Sequence, residues 1–177
     1  MSNFYGFRYA NTSTDSLYHY GVIGMKWGVR RYQNKDGSLT EAGQRLRQLN
    51  SDVGDAKYNI RRAGTTAIYR RTNPSEVKKY QDDMESHCNR LLDSIMAAKS
   101  AINLSDSNNS DRFQLGDADT TADMSRLYEA HDRIKRSVRD AIDAIGSKYM
   151  SDSTVEDYVR TAVDELDSLY QYTYDYR

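Results

Sequence analysis

Leu46-Arg47-Gln48-Leu49-Asn50-Ser51-Asp52-Val53-Gly54-Asp55-Ala56-Lys57-Tyr58-Asn59-Ile60-Arg61-Arg62-Ala63-Gly64-Thr65-Thr66-Ala67 places its apolar residues at 46, 49, 53, 56, 60, 63 and 67. The steps alternate between three and four. On a helix of 3.6 residues per turn, that spacing keeps every apolar side chain on one narrow stripe. Three further segments repeat the pattern. The second runs through Met84, Cys88, Leu91, Ile95, Ala98 and Ile102, with Val77 and Tyr80 leading in. The third runs through Met124, Leu127, His131, Ile134, Val138, Ala141 and Ile145, and the fourth through Val155, Val159, Ala162, Leu166, Leu169 and Thr173.

Four narrow stripes predict an all-α fold: an elongated antiparallel four-helix bundle made of two helical hairpins, with a short irregular N-terminal arm. Helices are expected at about 40–71, 74–104, 120–149 and 153–173, with an exposed loop at 105–118 rich in Ser, Asn and Asp. The arm takes residues 1–39 and the bundle 40–177. Short joints at Thr72-Asn73 and at Met150 to Ser153 force antiparallel neighbours. Whether the two hairpins close into one bundle or stay an elongated coiled-coil pair is left open by periodicity.

The boundaries carry capping chemistry. Asn73-Pro74-Ser75-Glu76 combines a cap, the sole Pro at the first helical position and an acid at the positive helix end. Ser38-x-x-Glu41 reads as a capping box, with Thr40 a competing cap. Ser153-x-x-Glu156 reads as another, with Asp152 ahead of it, and Thr120-x-x-Asp123 as the start of the third helix. The Tyr170-x-Tyr172-x-Tyr174-x-Tyr176 alternation reads either as a strand or as a helix end whose rings cover the bundle tip. Left exposed, the same ladder would contact a partner.

Composition narrows the classes. Leu, Ile, Val and Phe number 30 of 177 residues, few for a globular chain, but fifteen Tyr add burial and the net charge is only -1. Charge is segregated: residues 26–71 hold 11 Lys/Arg against 4 Asp/Glu, and residues 140–177 hold 3 against 9. The plain reading sets basic and acidic helices side by side. The functional one is a basic face for nucleic acid or an acidic partner, or self-association head to tail. One cysteine, Cys88, makes no intrachain disulfide and suits a reducing compartment. No stretch approaches a membrane span and the N-terminus does not read as a secretory signal, so no membrane partner is expected.

Composition changes sharply in the arm. Tyr18 to Tyr32 holds the sole Trp, three Gly and three cations. His19, Tyr20, Gly24, Met25, Lys26, Trp27, Gly28, Arg30, Arg31 and Tyr32 are the candidate partner-binding residues, because Trp, Tyr and Arg anchor interfaces. The competing reading folds Trp27, Val22, Ile23 and Val29 back onto the bundle end. Asn34-Lys35-Asp36-Gly37 is a turn signal.

His19-Tyr20-Gly21-Val22-Ile23-Gly24-Met25-Lys26-Trp27-Gly28-Val29-Arg30-Arg31-Tyr32-Gln33-Asn34-Lys35-Asp36-Gly37-Ser38-Leu39-Thr40-Glu41-Ala42-Gly43 resembles a motif of tailed-bacteriophage and prophage proteins, usually structural or head-associated. Ile23 stands where Lys is common, and Glu41 where Pro often follows Thr. The resemblance implies a non-enzymatic virion component, made in the host cytoplasm, whose motif (residues 18–43) docks to a phage head or capsid protein while the bundle serves as cargo or spacer.

Other chemistry is weighed beside it. A nucleic-acid contact would use Arg45, Arg47, Arg61, Arg62, Arg70 and Arg71 on the first helix, although these spread around it. A third alternative is a small phage protein that blocks a host factor. Tyr32-x-Asn34-x-Asp36-Gly37 echoes a calcium loop, but Gly43 occupies the twelfth position where a Glu is needed, so a plain turn is expected. His87 and Cys88 are adjacent and diverge on a helix; His131 reads as a core histidine bonded to a neighbour, or a pH-sensitive spot. Cys88 on the stripe reads as an inert thiol, and Asp82-Asp83-x-Glu85 as a solvated cluster. No catalytic site, metal or cofactor is expected.

Overall fold

A computed structural model describes residues 32–34, 36–108 and 117–173. Four helices account for most of them: α1 Glu41–Tyr69, α2 Pro74–Asn108, α3 Asp117–Gly146 and α4 Asp152–Thr173. Each packs on its predecessor, α4 returns to pack on α1, and α1 also meets α3 across the middle. The helices therefore close into one up-down-up-down bundle, which resolves the choice between a bundle and a pair of separate hairpins. Among the described residues, no helix is long and apolar enough to cross a membrane.

The stripes are the core. All seven stripe residues of α1 are buried, as are Met84, Cys88, Leu91, Ile95, Ala98 and Ile102 of α2 and the six expected positions of α4. Many of the contacts are made by Ala (Ala56, Ala63, Ala67, Ala98, Ala141, Ala162), which lets helices approach closely. Close approach excludes water with little side-chain volume, so a chain this polar can still fold. On α3 two expected core positions move outward. Met124 and His131 are half-buried, while Ala130 and Asp123 take the seam. His131 is thus not a core histidine; its Nδ1 lies 3.0 Å from Asp132 Oδ1 at the bundle surface.

The ends follow local chemistry, with one choice resolved and three corrections. Thr40, not Ser38, caps α1, its Oγ1 accepting from the Gly43 N–H. Ser38 is occupied by the preceding turn. α2 runs on to Asn108, and α3 begins at Asp117 rather than Thr120, so helix consumes both flanks of the expected loop. Ser151, not Ser153, caps α4: its Oγ accepts from the Thr154 N–H at 3.2 Å. The expected cap at Asn73 stands, its Oδ1 accepting from the Ser75 N–H and its Nδ2 donating to Glu76.

Basic α1 lies beside acidic α4, as charge segregation suggests. Lys57 pairs with Asp167, and Arg71 with Asp152. The C-terminal tyrosines continue α4 as helix through Thr173 rather than forming a strand. Tyr174 and Tyr176 lie outside the described residues.

Candidate functional site

The C-terminal half of the motif forms a clasp on the end of the bundle. Its turn closes through Gly37 N–H to the Asn34 carbonyl at 3.0 Å and Asn34 N–H to the Ser38 carbonyl at 2.7 Å. Gly37 adopts φ +84, a left-handed conformation that a side chain would strain. Asp36 Oδ1 accepts from the Ser38 hydroxyl at 2.7 Å and the Ser38 N–H at 2.9 Å. These two donors hold the Asp36 carboxyl below its ordinary range, the hydroxyl contributing most. The turn's polar groups thus serve one another, as a plain turn requires.

Beyond the turn, Gln33 and Leu39 pair as an antiparallel bridge. The Tyr32 carbonyl accepts from the Thr40 N–H at 2.8 Å and from the Thr40 hydroxyl at 3.0 Å. Gly43 permits this approach, since a Cβ there would stand 2.5 Å from the Tyr32 carbonyl oxygen. The Tyr32 ring is 2% exposed, and its hydroxyl donates to Asp123 Oδ2 at 2.8 Å. The Tyr172 hydroxyl donates to Asp123 Oδ1 at 2.6 Å. One carboxylate, itself 6% exposed, therefore ties the motif, α3 and α4 together.

This corrects the placement of Tyr32. It was expected among the partner-binding residues of the arm; it is instead part of the core, its ring buried and its hydroxyl bonded to a buried carboxylate. The arm–bundle boundary accordingly falls before Tyr32 rather than after Leu39. His19, Tyr20, Gly24, Met25, Lys26, Trp27, Gly28, Arg30 and Arg31 lie outside the described residues.

Asp123 was missed as a binding group and read as part of a helix start. The available signal was its phase: it stands four residues before Leu127, a carboxylate in register with an apolar stripe. Phase alone does not say which hydroxyls will reach it.

The six basic residues of the first helix do not form one surface. Arg71 closes the joint between α3 and α4. Its guanidinium donates to Asp152, to the Ser147 carbonyl and, at 2.9 Å, to the Met150 carbonyl. Arg70 lies 3.6 Å from Glu76. Arg71 is thereby engaged at a helix joint, whereas Arg70 stays exposed. Arg45, Arg47, Arg61 and Arg62 are exposed. Arg47 and Arg61 stand fourteen residues apart, four turns of one helix face, and line a groove between α1 and α4 with Gly54, Lys57, Tyr58 and Tyr170.

The remaining reactive groups are arranged for packing. Cys88 is buried, and burial pushes its thiol up to about 11. His87 is lowered first by burial and then by Arg90, whose Nη2 lies 3.0 Å from its Nδ1. Asp82, Asp83 and Glu85 are exposed. Among the described residues, no group of three or more His, Cys, Asp or Glu side chains is placed to hold a metal ion.

The model of a family of unknown function, DUF7211, matches residues 10–34. The match covers part of the arm and the first residues of the clasp, and of its residues only Tyr32, Gln33 and Asn34 are among those described. No curated protein and no solved structure matches the chain.

Proposed function

We propose that the chain is a non-enzymatic bacteriophage head-associated protein, and that Met25, Lys26, Trp27, Arg30 and Arg31 dock it to a head protein. The motif resemblance over residues 19–43 supplies the viral context. The observation that carries the docking reading is the clasp. Tyr32, the residue directly after Arg30-Arg31, is anchored through Asp123 at the bundle end where α1 begins and α4 finishes. The chain is therefore fixed at Tyr32, the residue to which the docking residues are joined in sequence. Asn34, Asp36, Gly37, Ser38, Thr40 and Gly43 of the motif are accounted for by the mount, which leaves the aromatic and cationic residues before Tyr32 to bind.

The test uses the full chain, because the motif cut from the bundle would lack Asp123. Particles are purified from the phage that encodes the chain, either unaltered or carrying Trp27→Ala with Arg30→Ala and Arg31→Ala. Copies are counted by mass spectrometry. The unaltered chain is expected in heads, and the variant is expected to be soluble, helical and missing from them. Absence of the unaltered chain from purified heads refutes the reading.

A further inference from the structure

The groove between α1 and α4 has a composition that packing does not require. Arg47, Ser51, Gly54, Tyr58 and Arg61 follow one another at spacings of four and three. They form a second stripe along α1, beside the buried one. Two adjoining hollows of about 330 and 340 Å³ lie along it, both bordered by Gly54 and Tyr170. Gly54 opens the groove wall, because it projects no side chain towards the Tyr170 ring. Lys57 stands 5.9 Å from the centre of that ring and is paired with Asp167. Arg47 and Arg61 make no hydrogen bond or ion pair with the described residues. Tyr58 is 65% exposed between them.

Along the axis Arg47 and Arg61 are about 21 Å apart, at about 1.5 Å per residue. Two cations at that separation, with an exposed ring between them, match a chain of repeating anions that also carries flat faces. We propose that this groove binds single-stranded nucleic acid. Arg47 and Arg61 contact backbone phosphates, and a base stacks on Tyr58. Duplex DNA fits less well, because its bases are already stacked and offer Tyr58 no face. An acidic peptide would engage the arginines but would leave the ring unused. The site is independent of the arm, so it holds whether or not the chain enters phage heads.

The experiment measures fluorescence anisotropy of a labelled oligothymidylate with the full chain between 20 and 200 mM salt. Binding is expected to weaken with salt, since each phosphate neutralised contributes about 0.7 to the logarithmic slope for a single strand. Arg47→Gln with Arg61→Gln should lower that slope by about 1.4. Tyr58→Ala should weaken binding about tenfold with the slope unchanged, as expected for a lost stacking contact. Lys79→Gln with Arg139→Gln removes the same charge elsewhere and should leave affinity within about twofold. All five substituted positions are exposed, so circular dichroism should show every variant folded. The proposal is overturned by no binding at 20 mM salt, by a duplex binding as tightly as the single strand, by polyglutamate competing as well as oligothymidylate, or by the control pair losing as much affinity as Arg47 and Arg61.

Discussion

Replacing Tyr32 with Phe tests the clasp with the smallest available perturbation. The ring stays, so the apolar packing of a residue 2% exposed is preserved. Only the hydroxyl is lost, and with it the 2.8 Å bond to a buried carboxylate. Hydrogen bonds to a charged group contribute about 1.5–3 kcal/mol. Asp123 keeps the Tyr172 hydroxyl on its other oxygen, which places the loss near the lower end, about 2 kcal/mol. For a domain of this size, that corresponds to a fall in Tm of about 4–8 °C. Urea unfolding followed by circular dichroism reads the global loss. Amide hydrogen exchange reads the local one, at the Asn34 N–H bonded to Ser38 and the Thr40 N–H bonded to Tyr32. Tyr172→Phe should cost less, about 1 kcal/mol, because Tyr172 is only half-buried. The double variant should cost more than the two single ones together, since in each single variant the remaining hydroxyl still serves the same carboxylate. If Tyr32→Phe leaves stability within about 0.5 kcal/mol and both amides equally protected, Tyr32 does not anchor the motif and the support that the clasp gives to the docking reading fails.

Arg71→Ala should destabilise by about 2 kcal/mol, because the guanidinium serves three oxygens at the α3–α4 joint while 16% of the side chain is exposed. Arg71→Lys should recover less than half of this in urea unfolding, as an ammonium cannot span the same acceptors. Gly37→Ala should cost about 1 kcal/mol, since φ is +84 but nothing lies within 4 Å of the added methyl. Gly37→Asn should cost less, and thermal melts of the two variants will distinguish strain from crowding. Cys88 should react with a thiol reagent at pH 8 at least a hundredfold more slowly in the folded chain than in urea. Its thiol is raised from 9.0 to about 11, so the folded state holds its proton more tightly than the unfolded state. The corresponding stability is therefore fully present below pH 9 and is lost as pH rises towards 11, by about 2–3 kcal/mol. Cys88→Ala should flatten that part of the urea stability profile.

The helices were readable because the 3–4 spacing is a local property: Leu46 to Ala67 stay on one stripe whatever packs against them. Capping at Asn73 was readable for the same reason, with cap, Pro and acid in consecutive positions. Ser153 misled because Ser151, two residues earlier, offers the same hydroxyl and the competition depends on where the chain leaves α3. His131 and Ala130 also differ by one position, and the sequence pattern favoured the larger residue. The seam took Ala130, which is buried, and left His131 half-buried.

Tyr32 shows the limit for function. From its neighbours Arg30 and Arg31 it belongs with an aromatic-basic arm. Its hydroxyl, however, meets a carboxylate 91 residues away. The groove has the same character, since Arg47 and Arg61 share a face by sequence but Tyr170 reaches them only when α4 returns to α1. Periodicity, caps and the turn follow from interactions within a few residues, and the linear chain states them directly. Which buried acid receives which hydroxyl, and which cations are left to solvent, depends on the order in which helices close around one another. That order is set by the whole surface buried and is written in no single segment.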